Sequence, residues 1–329
     1  MSVQRLVIFW GVCLTAAFTG AQEPASRDAF HLVLLPDTQM YAQDHPEIFH
    51  AQTRWVADNA STITFVLQQG DITNKNSRPQ WEVAAAAFAR MDGKVPYTFV
   101  PGNHDIGTSG TADVRDTTLM NEYLPHEKYS RAASFGGAFE TGRMDNTWHR
   151  FEAGGLKWLI LSLEFAPRNS VLEWANEVIT AHPDHKIIFN THAYMYSDDT
   201  RMAPPDNWCP QQYGLAKGAE GDDAVNDGEM IWEKLLSRHP NVLLAVSGHV
   251  LHDGTGRLVS EGQHGNKVYQ MLANYQGGVK GAVDGGNGYL RILTIDPQAG
   301  TIGAKTWSPV TGEYKTEPDQ EFEYKNVAF

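Results

Sequence analysis

Residues 97–105 read Tyr-Thr-Phe-Val-Pro-Gly-Asn-His-Asp, an aromatic and β-branched run that stops at Pro-Gly and is followed by amide, imidazole and carboxylate side chains. Such a run, bounded by turn residues, is typical of a buried strand. Polar side chains follow four further apolar runs in the same way: Asp37 follows 30–35, Asp71 follows 63–67, His192 follows 186–189, and His249 follows 242–246. Helical spacing of apolar residues separates these runs, at 48–60, 81–91, 171–181 and 231–238. The alternation predicts an α/β domain with a largely parallel centre.

The C-terminal part of the chain has a different pattern. The runs at 267–272, 289–295 and 301–307 have no helical segment between them, and they predict added antiparallel strands. Segments 106–146 and 197–226 show little periodicity, and loops of this length in compact enzymes often cover a substrate. We therefore predict one domain over residues 28–310 with two substrate-facing insertions, and a C-terminal tail over residues 311–329.

Composition excludes several classes of protein. The 329 residues include 42% hydrophobic and 20% charged residues, as in ordinary globular proteins. The formal net charge of −13 argues against a general nucleic-acid binder, which needs a basic face. Two cysteines are too few for a disulfide scaffold or a thiolate zinc cluster. No feature of the sequence indicates an obligate protein partner.

The first residues have the pattern of a secretory signal. Arg5 precedes an apolar run over 6–18, and the small residues of 19–21 follow it. The run is shorter than the roughly 20 residues that span a bilayer, so a short membrane anchor is the less favoured alternative. We predict a signal peptide over residues 1–21, cleaved near Ala21–Gln22, no membrane anchor after cleavage, and a secreted or periplasmic protein.

The polar side chains after the strands are expected to converge. In open α/β sheets, ligands bind at the carboxyl ends of the strands, so these side chains should meet in one crevice. Carboxylates, an amide and imidazoles form a mixed oxygen and nitrogen set, which suits Mn, Fe, Zn or a similar divalent metal.

At this point the chain resembles the calcineurin-like metallophosphoesterases. The residues that carry the resemblance are Pro36-Asp37-Thr38-Gln39, Gly70-Asp71, Gly102-Asn103-His104-Asp105, Thr191-His192 and Gly248-His249, in the family's order and each after a strand. The resemblance covers about residues 30–295. It implies two mixed β-sheets packed as a sandwich and flanked by helices. It also implies two divalent metal ions (Mn, Fe, Zn or Mg), a small phosphorylated substrate, and attack by a metal-bound hydroxide without a covalent enzyme intermediate.

The resemblance further implies a role for each matching residue. Asp71 would bridge the two metals, and Asp37 would hold the first. Asn103, His192 and His249 would complete the second site. His104 would lie beside the metals and donate a hydrogen bond or proton to the phosphate or leaving group, with Asp105 orienting its ring.

Two departures from the family's motifs fall on the first metal. Gln39 stands where the family usually has a histidine, and it offers only a neutral amide oxygen. His252 comes one position later than the second histidine of Gly-His-x-His, and one residue can turn a side chain to the opposite face. His252 could reach the first metal, touch substrate or face solvent. With fewer imidazoles, the first site should shift its preference from Zn towards Mn or Mg.

Other functions and other site residues stay open at this point. The same scaffold could hydrolyse a non-phosphate ester or a sulfate, or an altered first site could leave a non-catalytic protein that binds one metal and an anion. Further side chains could line the site as aromatic stacking partners, strand-end polar groups or phosphate clamps: Tyr194, Tyr196, Trp208, Tyr213; Asn274, Tyr275, Gln276; Arg115, Arg131, Arg143, Arg168, Arg201, Lys217.

Overall fold

A computed structural model describes residues 28–329, so the predicted signal peptide over 1–21 lies outside the described residues. The strands are β1 (Phe30–Leu35), β2 (Ile63–Gln68), β3 (Tyr97–Thr98), β4 (Phe135–Ala138), β5 (Thr147–Ala153), β6 (Leu156–Leu163), β7 (His185–Thr191), β8 (Val242–Ser247), β9 (Thr255–Glu261), β10 (Lys267–Ala273), β11 (Leu290–Asp296), β12 (Thr301–Ser308), β13 (Glu313–Lys315) and β14 (Glu321–Lys325). The α-helices are α1 (Gln39–Asp44), α2 (Pro46–Asp58), α3 (Arg78–Phe88), α4 (Thr118–Tyr123), α5 (His126–Tyr129), α6 (Asn169–Ala181) and α7 (Gly228–Lys234).

The strands form two mixed sheets. In the first sheet the order is β13-β12-β11-β1-β2-β3, with β14 also paired to β12. In the second sheet the order is β4-β5-β6-β7-β8-β10-β9. The centres of both sheets are parallel, since β1, β2 and β3 run together in one, and β6, β7, β8 and β10 run together in the other.

Alternation of apolar side chains along each strand builds a sandwich with helices outside. In β1, Leu32 and Leu34 point into the core between the sheets, whereas Val33 and Leu35 point towards the helices of the first sheet. In β6, Ile160 likewise faces the first sheet, and its neighbours in the strand pack under the helices of the second sheet. The expected fold class, two mixed sheets packed face to face and flanked by helices, is confirmed.

One expected strand direction was wrong. The run at 267–272 forms β10, which pairs in parallel with β8 and in antiparallel fashion with β9. The connection from β8 to β10 is made by β9, a strand that the sequence analysis did not predict, so a parallel pair arises without a helix between its members. The runs at 289–295 and 301–307 form β11 and β12, which are antiparallel as expected.

The predicted domain boundary stays a prediction. Within the segment expected as a tail, β13 and β14 both pair with β12, so part of it extends the first sheet. Over residues 28–329, the structure contains no helix both long enough and apolar enough to cross a membrane.

Candidate metal centre

The residues that follow the parallel strands of both sheets meet at one edge of the sandwich. Asp37 and Asp71 follow β1 and β2, while His192 and His249 follow β7 and β8. Asp37, Asp71 and His249 adopt left-handed backbone conformations, with φ of 43°, 48° and 77°. Such conformations cost of order 1–3 kcal/mol for residues other than glycine and persist where the surroundings hold them, typically at functional sites. Strands β1, β2 and β8 therefore each lead into a sharp turn that presents the following Asp or His side chain at the edge.

Four atoms with free lone pairs converge around His192. Its Nε2 lies 3.0 Å from Asn103 Oδ1, 3.2 Å from Asp71 Oδ1 and 3.0 Å from His249 Nδ1. The opposite ring nitrogens are engaged, since His192 Nδ1 lies 2.8 Å from the Gln69 carbonyl and His249 Nε2 lies 2.9 Å from the Trp208 carbonyl. A carbonyl only accepts hydrogen bonds, so both of these nitrogens carry the proton.

When both imidazoles are neutral, these tautomers turn four acceptors towards one point. Acceptors at hydrogen-bond distance repel each other unless a proton or a cation lies between them. Asp71, His192 and His249 are buried, and one ligand atom of each lies within 4.8 Å of the others. Phe165 packs against both imidazoles, with ring centroids 5.8 Å from His192 and 5.4 Å from His249, and so helps to fix their orientation. The donor set fits a divalent cation with mixed oxygen and nitrogen ligands.

A second group of atoms that could bind a metal lies on the other side of Asp71. While Asp71 Oδ1 faces His192, its Oδ2 lies 3.1 Å from Gln39 Nε2. Gln39 is buried, and its Oε1 has no hydrogen-bond partner in the described part of the chain. Asp37 accepts hydrogen bonds from the His249 backbone N–H, at 3.1 Å to Oδ1 and 3.0 Å to Oδ2. Two buried carboxylates and an unpartnered amide oxygen also fit a cation.

The pKa values of the four titratable residues in the cluster show that it stabilises positive charge. Burial raises the pKa of the Asp37 carboxyl well above its ordinary value, partly offset by His192. Burial disfavours the charged form of Asp71 as well, but the imidazoles of His192 and His104 hold the pKa of this carboxyl well below its usual range. Burial alone would lower the pKa of His192, yet the Asp71 carboxylate raises it to about 9. Burial, with the charge on His192, lowers the pKa of His249 to about 3. One positive charge is thus stabilised beside Asp71.

Two motif glycines are required by the close approach of ligand residues. A Cβ on Gly102 would lie 2.1 Å from the backbone N of Asp71 and 2.2 Å from its Oδ1. A Cβ on Gly248 would lie 2.2 Å from Asp37 Oδ2. No larger residue fits at either position without moving a carboxylate of the cluster.

His104 lines the pocket over the cluster, and its ring is not oriented by the residue we expected. Its Nδ1 lies 2.9 Å from the Asn74 carbonyl, which leaves Nε2 for the pocket. The Asp105 carboxylate instead accepts hydrogen bonds from backbone N–H groups, at 2.9 Å from Ile72, 2.7 Å from Thr73 and 2.9 Å from Gly102. The expected contact between Asp105 and the His104 ring is therefore wrong. Asp105 joins the two loops that carry Asp71 and Asn103.

The structure does not bring His252 to the cluster. Its side chain is exposed, its Nε2 lies 3.2 Å from the Tyr196 hydroxyl, and its ring packs against Trp208 with centroids 5.2 Å apart. The backbone is left-handed at His249 and again at His252 (φ 55°), and the chain turns outward between them. The extra residue in this turn explains why His252 misses the position of the family's second histidine.

The pocket above the cluster is lined by both polar and apolar side chains. It is lined by Asp71, Asn103, His104, Trp208, Tyr213, His249, Leu251 and Gln276. Insertion 197–226 thus contributes two aromatic side chains, while insertion 106–146 contributes none of these lining residues. Of the other aromatic candidates, Tyr194 is fully buried and donates to Gln270 Oε1 at 2.6 Å.

None of the described residues that line this pocket is an arginine or a lysine. Four of the candidate phosphate clamps are ion-paired elsewhere: Arg115 with Glu164, Arg143 with Glu140 and Asp145, Arg168 with Glu140 and Glu164, and Arg201 with Glu229. Arg131 and Lys217 are exposed and do not line the pocket.

Sequence reasoning named the side chains of this site but missed the backbone groups that orient them. The carbonyls of Gln69, Asn74 and Trp208 fix three imidazoles, and no sequence pattern indicates them, because they depend on loop conformation. Gln276 was named only among strand-end groups that could line the site, and the structure places its amide 3.1 Å from Asp37 Oδ1. The metal-binding roles of Asp37, Gln39, Asp71, Asn103, His192 and His249 stay predictions.

Comparison with known proteins gives one family and a set of similar structures. The family model for calcineurin-like phosphoesterase matches residues 30–253. The protein YvnB of Bacillus subtilis (strain 168), described as uncharacterized, is 27% identical over an alignment of 296 residues that covers 87% of this chain and 20% of YvnB. The chain thus spans about a fifth of the length of that relative.

Two solved structures align with most of this chain, and the fold of the first is similar. Purple acid phosphatase PPD1 from yellow lupin (Lupinus luteus) seeds aligns with a TM-score of 0.53 at 14% identity, over 92% of this chain and 54% of that one. GAP50, the anchor in the inner membrane complex of Plasmodium, aligns with a TM-score of 0.49 at 13% identity, over 92% and 91%.

Proposed function

Because this chain belongs to the calcineurin-like phosphoesterase family, we propose that it hydrolyses phosphoesters at a dinuclear divalent metal centre bridged by Asp71. The observation that carries this proposal is the convergence of ligand atoms from the buried Asp71, Asn103, His192 and His249 on one point, each within 3.2 Å of His192 Nε2. These four residues would hold the second cation. Asp37, Gln39 and the other oxygen of Asp71 would hold the first.

The chemistry divides between the cations and the chain's own side chains. When bound, two divalent cations would act as Lewis acids and lower the pKa of a water so that it attacks phosphorus as hydroxide. Asp71 supports a bridging role because its two oxygens face the two groups of donors. His104 holds its Nδ1 on the Asn74 carbonyl, so Nε2 is the nitrogen that would exchange a proton or hydrogen bond with the leaving group.

The walls of the pocket support a small phosphoester with an apolar or aromatic group as the substrate. Trp208, Tyr213 and Leu251 offer apolar surface beside the polar cluster. Binding of the phosphate would rest on the cations and on His104, because the described lining residues include no lysine or arginine.

Export is a separate part of the proposal, supported by the apolar run over residues 6–18 after Arg5. Expression of the full chain in a bacterial host, followed by N-terminal sequencing of the protein released from the periplasm, tests it. A mature N-terminus at Gln22 supports export, and an intact N-terminus in the cytoplasm contradicts it.

Metal content measured beside activity tests the proposed function. The purified chain is assayed for metal per chain and for turnover of a chromogenic phosphate monoester, phosphate diester and sulfate ester. We expect two equivalents of metal and hydrolysis of a phosphate ester. Asp71→Asn should abolish this hydrolysis and lower bound metal, because an amide cannot supply two anionic oxygens. Asp184→Asn, an exposed aspartate paired with Lys157, is the matched control and should change neither quantity.

The alternatives predict different results in the same assay. Full activity and full metal content in Asp71→Asn would contradict the bridged centre. Turnover of the sulfate ester alone would favour a different hydrolase on the same scaffold. A single metal per chain without turnover of any of the three esters would favour a binding protein.

A further inference from the structure

Gln276 lies at the same edge of the sandwich as the proposed metal ligands. It lies three residues beyond the end of β10, and His249 lies two residues beyond the end of β8, the parallel neighbour of β10. The side chain is only 8% exposed. Its backbone N–H donates to Asn274 Oδ1 at 3.0 Å, and the Asn274 side chain donates to the Val250 carbonyl at 3.2 Å. These bonds tie the loop after β10 to the turn that follows His249.

The amide of Gln276 lies between the two residues expected to hold the first cation. Its Nε2 donates to Asp37 Oδ1 at 3.1 Å, and its Oε1 accepts a hydrogen bond from Gln39 Nε2. The same Gln39 nitrogen also donates to Asp71 Oδ2. The Gln276 amide thus lies between Asp37 and Gln39, a position that the His252 side chain does not reach.

Hydrogen bonding within the protein does not satisfy this group of oxygens. With the Gln39 amide as placed, its Oε1 is buried and has no donor among residues 28–329. If the amide is turned over, Oε1 instead faces Asp71 Oδ2 and Gln276 Oε1, which are both acceptors. Either orientation leaves an oxygen without a donor, and a cation would satisfy it.

We propose that Gln276 is the fourth residue of the first cation site, with Asp37, Asp71 and Gln39, and that this all-oxygen set selects a hard cation such as Mn²⁺ or Mg²⁺. The second site, with two imidazoles, would favour Zn²⁺. This inference rests on the proposed dinuclear function. Carboxylate and amide oxygens suit Mg and Mn, whereas imidazole suits Zn. The two sites of one centre would therefore differ in the metal that they prefer.

Titration with two metals tests the inference without relying on activity. The full chain is stripped with a chelator and loaded with one equivalent of Zn²⁺. Mn²⁺ is then added, and its binding is followed by calorimetry and by electron paramagnetic resonance of the free ion. We expect one Mn²⁺ per chain in the wild type. Gln276→Ala should weaken Mn²⁺ binding by about 10–100-fold and change the affinity for the first Zn²⁺ by less than about threefold.

Three further variants make the result specific. Gln276→Glu should bind Mn²⁺ at least as tightly as the wild type, because it keeps an oxygen at this position and adds charge. Gln52→Ala removes another buried glutamine, which lies in helix α2 and donates to the Tyr289 carbonyl. This variant should bind both metals as the wild type does. His252→Ala should also leave both metals unaffected.

Several outcomes would overturn the inference. These are unchanged Mn²⁺ binding in Gln276→Ala, an equal loss of Zn²⁺ and Mn²⁺ in that variant, loss of Mn²⁺ in Gln276→Glu, and loss of Mn²⁺ in His252→Ala. If the wild type binds one Mn²⁺ and Gln276→Ala binds it equally tightly, only this inference is overturned and the dinuclear proposal stands. A wild type that takes up no second equivalent contradicts the dinuclear proposal itself.

Discussion

Replacing Gly102 by alanine should damage the metal centre without any backbone strain at the substituted residue. The backbone of Gly102 is extended (φ −89°, ψ 179°), a conformation that alanine adopts freely. The only obstacle is the new Cβ, which would lie 2.1 Å from the Asp71 backbone N and 2.2 Å from Asp71 Oδ1. Non-bonded atoms prefer a separation of about 3.5 Å, so the two loops must separate by about 1 Å.

The loops cannot separate cheaply, because Asp105 holds them together. Its carboxylate bonds the N–H groups of Ile72 and Thr73 on one loop and of Gly102 on the other. Hydrogen bonds to a charged group contribute about 1.5–3 kcal/mol each, and overpacking a tight interior typically costs about 1–3 kcal/mol. We therefore expect a loss of about 1–3 kcal/mol in the free energy of unfolding and a displacement of the Asp71 carboxylate.

Gly102→Ala should reduce metal affinity more than it reduces the free energy of unfolding. Metal–ligand distances tolerate about 0.2 Å of error, so a shift of about 1 Å in Asp71 exceeds what a cation accepts. We expect metal affinity to fall by at least about 10–100-fold and phosphoesterase turnover by about 10²-fold. Calorimetric metal titration, turnover of a chromogenic phosphate ester and urea unfolding measure the three effects. Gly303→Ala is the control, because a Cβ there meets nothing closer than 3.9 Å. Unchanged metal affinity in Gly102→Ala would refute the reasoning.

Two further predictions concern histidines with different roles. His104→Ala should lower turnover by about 10²–10⁴-fold and leave metal content intact, and a variant that loses its metal would show that the histidine is a ligand instead. Burial lowers the pKa of His149 from 6.5 to about 3, so stability is fully present above pH 6.5 and is lost as the pH falls from 6.5 towards 3. Between pH 7 and pH 5 the free energy of unfolding should fall by about 2 kcal/mol because of His149. His149→Phe should lack this fall when urea unfolding is measured at both pH values with chelator present. Equal pH dependence in the two proteins would contradict the prediction.

The fold could be predicted from the sequence wherever one apolar pattern determined one element. Strand β1 was predicted with its observed bounds, because its apolar run is buried on both faces and ends at a proline. Strand β9 was missed, because its sequence Thr-Gly-Arg-Leu-Val-Ser-Glu is half polar and only its first two residues are buried. Missing β9 also led to the wrong direction for β10, since the hairpin between them sets that direction.

The sequence predicted which side chains form the site, but it did not predict the contacts that orient them. A strand-end rule found Asp71, His192 and His249, because parallel strands bring such residues together whatever the loops do. The same rule could not single out Gln276, because the register of the parallel strands β8 and β10 places Asn274, and not Gln276, opposite His249. The contacts of Asp105 and His252 depend on turns with left-handed residues, and those turns follow from packing that no local pattern encodes.

The cluster unites the two sheets, and this explains why its geometry depends on the whole sandwich. Asp37, Asp71 and Asn103 follow strands of the first sheet, whereas His192, His249 and Gln276 follow strands of the second. Three polar contacts join the sheets: Asn190 of β7 donates to the Gln68 carbonyl of β2 at 3.2 Å, Thr98 of β3 bonds Ser162 of β6 at 3.1 Å, and Arg291 of β11 donates to the Leu272 carbonyl of β10 at 3.0 Å. Apolar side chains of both sheets form the core between them. A cation held by both sets would join the sheets at this edge. Because metal sites tolerate only small errors in ligand distance, a change in the inter-sheet core that alters the angle between the sheets would weaken cation binding before it unfolds the protein.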